Sequence, residues 1–208
     1  MNLADCAALP RTPENGTWYR LIDLRFITTA LGSAHTRATR SRFNPGPLLG
    51  PSDRFATLYF ADTPLTAQFE YGAMLGSALP GGSAPHPGRS SATLNVAIVL
   101  REVIDLTDVT LAQIPLGTTV QELTGDWSGY GQRSALTAVT EPVGIAPTQV
   151  LGQALFKTGA EGFRTISARV PWQRTLTVFI DNLRPGSTLT FTDPGHGVVH
   201  RIPAPAGP

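Results

Sequence analysis

The chain has 208 residues, with 16 Lys+Arg against 15 Asp+Glu and a formal net charge of +1. That length suffices for one domain with a real core, and the charge excludes a protein built to coat duplex nucleic acid, which needs a concentrated basic surface. A hydrophobic content of 41% excludes a disordered chain, and the single cysteine, Cys6, excludes an internal disulfide or a cysteine cluster for zinc.

From the N-terminus, Met1 to Cys6 shows no basic region followed by an apolar core, so no secretory signal is read there. The longest convincing apolar stretch, Val96 to Leu100, falls far short of the roughly 20 residues that span a bilayer. A soluble, cytoplasmic protein that binds neither membrane nor nucleic acid is the expectation. With 21 glycines and 18 prolines, elements should be short and loops numerous. The first clear loop runs from Asn44 to Asp53. A strand is predicted at Thr57 to Ala61, rich in aromatic and β-branched residues. Asp62-Thr63-Pro64 then reads as a cap with Pro near the first helical position, opening a helix whose Leu65, Phe69 and Ala73 share one stripe. A loop follows from Pro80 to Gly88, then strands at Ala92 to Leu100 and Val103 to Leu106.

Short helices are predicted at Thr107 to Gln113 and Thr119 to Leu123, and a longer one from Pro147 to Lys157 that turns Val150, Leu151, Ala154 and Leu155 inward and has Gly159 as its cap. Three more strands follow, at Phe163 to Ala168, Thr175 to Ile180 and Thr188 to Thr192. The Pro/Gly-rich segment from Pro194 reads as a frayed tail. Strands interrupted by helices, without a strict βαβ rhythm, predict an α+β fold: one compact domain over residues 1–208, its core about 18–192, with a mixed or antiparallel sheet.

Several motifs are too weak to assign chemistry. The glycine-rich Gly125 to Gly131 lacks the GxxxxGK[ST] pattern and reads as an aromatic-anchored loop rather than a phosphate cradle. His196 and His200 are four apart but have no Glu between them and are flanked by glycine, so they do not form a zinc helix. His35 and His86 read as exposed, and there is no G-x-S-x-G of a serine hydrolase.

One constellation does carry chemistry. Ser41-Arg42-Phe43-Asn44 is followed by Leu58-Tyr59-Phe60-Ala61, and Glu70 lies eleven residues after Tyr59 on the next helix. If Leu58 and Phe60 face a core, strand alternation turns Tyr59 to the other side. Glu70 borders the apolar stripe of its helix, a position that fits either a half-buried acid in a cleft or a solvated flank.

These residues, with the later Gly162-Phe163-Arg164-Thr165-Ile166-Ser167-Ala168-Arg169 and Thr177-Val178-Phe179, resemble the RES domain, the toxin half of many bacterial toxin–antitoxin pairs. The likeness runs from about Trp18 to Asp181. It implies a compact α+β fold similar to the ADP-ribosyltransferase toxins and an enzyme that breaks the nicotinamide–ribose bond of NAD+, by hydrolysis or phosphorolysis. NAD+ would be the substrate, with no further cofactor and no metal, and a small antitoxin protein would cover the active site. Transfer of ADP-ribose to a protein and a non-catalytic nucleotide-binding or partner-binding module remain the alternatives. The resemblance places Arg42, Tyr59, Glu70 and Ser167 in the family's catalytic positions, with Arg20 as a further pocket arginine.

The 16 residues between Arg42 and Tyr59 are more than many members have, and the surplus loop offers Arg54 as an alternative diphosphate contact. In this scheme Glu70 stabilises positive charge on the ribose, the arginines grip the diphosphate, and Tyr59 offers a flat face to the nicotinamide ring. Ser167 orients the amide or a ribose hydroxyl and is not a nucleophile. The chain's fifteen arginines to one lysine fit codon bias in a GC-rich genome, apart from the few that the diphosphate would need.

Overall fold

The computed structural model describes all residues except 80, 89, 133–143, 194, 196 and 204–208. Two long strands, β1 (Arg11–Asp23) and β5 (Ser91–Asp105), pair antiparallel from Arg11↔Ile104 to Asp23↔Ser91. β1 has no clear sequence signature, because Pro13 and Gly16 interrupt it and its first half is largely exposed. The ladder shifts register between Thr12 and Glu14, around the residue that has no N–H to donate.

The remaining strands are β2 (Thr57–Ala61), β3 (Met74–Gly76), β4 (Ser83–Pro85), β6 (Gly162–Ile166), β7 (Arg174–Phe179), β8 (Thr188–Asp193) and β9 (Val198–Ile202). Their order in the main sheet is β1-β2-β7-β6-β5-β8-β9, and the β1–β5 pairing closes five of them into a ring. Among the described residues only β5–β6 is parallel, so the sheet is mixed. β3 and β4 form a separate hairpin. The predicted break between Leu100 and Val103 is absent. β5 runs straight through, leaving β8 after Val99 and joining β6 at Val103. In that gap the buried Glu161 carboxylate accepts the N–H groups of Arg101 (2.5 Å) and Glu102 (2.9 Å), doing what a neighbouring strand would do. β9 also departs from the expectation of a tail starting at Pro194: Val198 to Ile202 pairs along the edge of β8. Residues 194, 196 and 204–208 lie outside the described residues.

Among the described residues there are four α-helices: α1 (Pro64–Tyr71), α2 (Ile114–Leu116), α3 (Val120–Leu123) and α4 (Pro147–Lys157). The helical segment predicted from Thr107 starts two residues later, at Val109, with Asp108 as its cap accepting from Leu111 N, and in the one predicted from Thr119 that residue is the cap, accepting from Glu122 N. The sheet buries both faces. One core gathers Phe43, Phe55, Phe163 and Phe179 with Leu151 and Leu155 of α4, and the other gathers Leu58, Phe60, Val96, Ile98 and Val178. Leu58 and Phe60 thus share one side of β2, while Tyr59 packs on the other. β1 and β2 meet at a single pair, Tyr19↔Ala61, and the functional cleft lies along this seam.

Candidate active site

Glu70 owes its position to how α1 starts and stops. Thr63 caps the helix, accepting from Thr66 N at 3.1 Å, Pro64 supplies a preset first turn, and Gly72 ends it in the left-handed region (φ 75°). The buried side of α1 is Thr66, Ala67 and Phe69, whereas Leu65 is 40% exposed. Of the predicted stripe, Phe69 and Ala73 are buried and Leu65 is not, so the inward face is rotated toward Ala67. That rotation turns Ala67 and Glu70, three residues apart on one face, into a cleft of about 1220 Å³.

A tight turn after β6 fixes one Glu70 oxygen. Oε1 accepts Ser167 Oγ–H at 2.5 Å and Ala168 N–H at 2.9 Å. Ser167 Oγ in turn accepts the N–H groups of Arg169 (3.1 Å) and Val170 (2.9 Å), and Ser167 N donates to Gln173 O. The hydroxyl's one donor and two acceptor sites are thus all used. Ser167 is buried behind the carboxylate and does not line the cleft. Ser167 thus holds Glu70 from behind, with its hydroxyl fully engaged.

The second Glu70 oxygen remains available. Oε2 lies 3.9 Å from Nη2 of Arg42, whose side chain is 14% exposed. Burial pushes the Arg42 pKa down, opposed chiefly by the Glu70 carboxylate and reinforced by Arg169. Its Nε is buried without a hydrogen-bond partner among the described residues. Arg42 sits on a turn whose ends bridge, Ser41↔Asn44. Tyr59 OH meets Ser41 Oγ at 2.7 Å and accepts Phe43 N–H at 3.2 Å, so the tyrosine is tied to the arginine's own turn. Burial raises the Tyr59 pKa, keeping it a phenol at neutral pH.

Arg20 reaches the cleft from β1. Its Nη1 donates to Tyr59 O at 3.3 Å, and its Nε is buried and unpartnered among the described residues. Burial pushes its pKa down to about 10. Arg54 does not reach the cleft. It folds back on its own loop, donating from Nε to Leu49 O (3.1 Å) and from Nη2 to Pro47 O (3.4 Å). The surplus loop thus consumes its arginine in bracing itself, while Arg42 and Arg20 line the cleft.

Sequence reasoning missed three contributors. The Gly125–Gly131 motif brings Gly125, Asp126, Trp127 and Ser128 to the cleft wall, and its glycines and tryptophan were the available signal. Asp126 accepts from Ser128 N, Ser128 Oγ and Gly129 N, bonds that lower its pKa and tie the loop together. Arg169, just after the Ser167 turn, and the largely exposed His35 also line the cleft, the His35 pKa lowered by partial desolvation and by Arg20. Among the described residues no cluster of His, Cys, Asp or Glu could hold a metal ion, and no helix is long and apolar enough to cross a membrane.

The fold and site define an α+β domain, as expected, whose mixed sheet and short helices enclose a cleft with one braced carboxylate facing arginines. The RES domain family model matches residues 17–192, and the chain belongs to that family. Among solved structures it is similar to the crystal structure of the M. tuberculosis MbcT–MbcA toxin–antitoxin complex, with a TM-score of 0.63 and 21% identity over 92% of this chain and 88% of that one. At that identity the likeness establishes the fold. No curated protein matches the chain.

Proposed function

We propose that this chain is the toxin of a toxin–antitoxin pair and that it consumes NAD+ by breaking the nicotinamide–ribose bond. The observation that carries the reading is the divided Glu70 carboxylate: one oxygen is held by Ser167 and Ala168, and the other is free toward the cleft, 3.9 Å from Arg42. In the reaction the C–N bond breaks, its electron pair leaves with neutral nicotinamide, and positive charge develops on the ribose. A fixed anion stabilises that charge far more in a cleft than in water. Arg42 and Arg20 suit the diphosphate, which needs a few well-placed guanidinium groups and no basic surface. The Tyr59 ring suits the cationic nicotinamide, which stacks on an aromatic face. Water or inorganic phosphate would then supply the oxygen that closes on the ribose carbon. The same reading calls for a small antitoxin protein that occludes the cleft, and the similar solved structure is a toxin–antitoxin complex.

The test is to incubate the purified protein with NAD+, with and without phosphate, and identify the products. Free nicotinamide with ADP-ribose, or with a phosphorylated ADP-ribose when phosphate is present, is expected. ADP-ribose attached to a macromolecule would replace this reading with a transferase, and intact NAD+ would leave only a binding module.

A further inference from the structure

α4 contributes nothing to the cleft lining, yet it grips the turn that carries Arg42. The side chain of Gln149, fully buried on α4, donates from Nε2 to Ser41 O at 2.8 Å and Asn44 O at 3.4 Å, the carbonyls on either side of Arg42-Phe43. Its Oε1 accepts Ala146 N–H at 3.2 Å, so the amide is held at both ends and cannot swing away. One turn later, Gly152 passes so close to that segment that a Cβ would lie 2.0 Å from Phe43 O. The buried Asn44 side chain completes the mount, donating to Thr36 O, Phe55 O and Thr57 Oγ1 and accepting from Gly46 N. On the cleft side the same turn is tied to Tyr59 OH through Ser41 Oγ and Phe43 N. The turn is therefore clamped between α4 and the Tyr59 hydroxyl, with Arg42 projecting from it.

We infer that Gln149 is a positioning residue for Arg42: it sets, from outside the cleft, where the guanidinium stands relative to Glu70 and the bound diphosphate. This inference rests on the proposed NAD+ reaction. Because Gln149 acts through Arg42, its loss should weaken the grip on the diphosphate while leaving Glu70 in place, since Glu70 is held by a different turn.

The experiment is a double-mutant cycle of Gln149→Leu, similar in volume but without hydrogen-bonding atoms, with Arg42→Ala. In the otherwise native chain, Gln149→Leu should raise KM for NAD+ and the dissociation constant for ADP-ribose about tenfold, with kcat within about threefold. In the Arg42→Ala background the same substitution should change KM by less than about twofold. Thr148→Val, on the same helix and altering a buried hydroxyl that has no partner among the described residues, controls for packing and should leave both constants unchanged. If Gln149→Leu does not fold, Gly152→Ala, read by ADP-ribose binding alone, displaces the same turn and carries the comparison. Equal effects of Gln149→Leu with and without Arg42, or a loss confined to kcat, would overturn the inference. A wild-type protein that leaves NAD+ intact would instead sink the proposed reaction, while the ADP-ribose arm would still judge the clamp.

Discussion

Glu70 and Ser167 form one unit, in which the serine hydroxyl and the Ala168 N–H occupy Oε1 and leave Oε2 to act. Glu70→Gln should lower nicotinamide release by at least about 100-fold, because a neutral amide cannot stabilise a developing cation, while circular dichroism stays native. Ser167→Ala should cost less, roughly 10-fold, since the carboxylate survives but loses its aim; turnover equal to wild type would show that Ser167 does not position Glu70. Arg20 is held in its charged form against the preference of its surroundings. Burial brings its folded pKa down to about 10, below that of the unfolded chain, so the proton it keeps at neutral pH works against folding, and Arg20's contribution to stability rises as pH climbs through about 10. Replacing it by Met should raise stability by about 1 kcal/mol, or 2–4 °C in Tm, and weaken ADP-ribose binding about tenfold. A lower Tm in calorimetry would contradict that trade.

At the scale of elements, α1 shows how a small rotation decides a site. Capping by Thr63 and Pro64 was legible because it depends on neighbours in sequence. Which stripe faces inward was not legible, because Leu65 and Ala67 are both apolar and only the sheet beneath chooses between them. Phe69→Ala should therefore cost about 3 kcal/mol or more by leaving a cavity, whereas Leu65→Ala, at a 40% exposed residue, should stay within about 0.5 kcal/mol. Comparable losses in denaturant unfolding would restore the stripe read from sequence. β1 escaped detection for a related reason: its propensity is poor, and its strand state comes from continuous pairing with β5. The Gly125–Gly131 loop was seen as a motif, but its place on the cleft wall depends on contacts remote in sequence.

Across the whole molecule, two splices hold the sheet together. One is the single β1–β2 pair at Tyr19↔Ala61, and the other is Glu161, whose carboxylate ties Arg101 N and Glu102 N of β5 to Arg184 N at 2.7 Å. Glu161→Ala would orphan three backbone donors at once and should cost about 3 kcal/mol or more, lowering Tm by roughly 10 °C, although the residue is remote from the cleft lining. An unchanged melting curve would refute that role. The sequence by itself determined the α+β class and the strands and caps written in local pattern, and its resemblance to the RES family picked out Arg42, Tyr59, Glu70 and Ser167, because order along the chain and residue chemistry are both properties of sequence. Only the tertiary structure decided that Ser167 holds Glu70 from behind the cleft, that Arg54 is spent on its own loop while Arg20 and Arg42 face the cleft, and that Gln149 grips the turn of Arg42. Each of those outcomes depends on which donor meets which acceptor across tens of residues, and that choice is made by the packing of β1, α4 and the post-β6 turn.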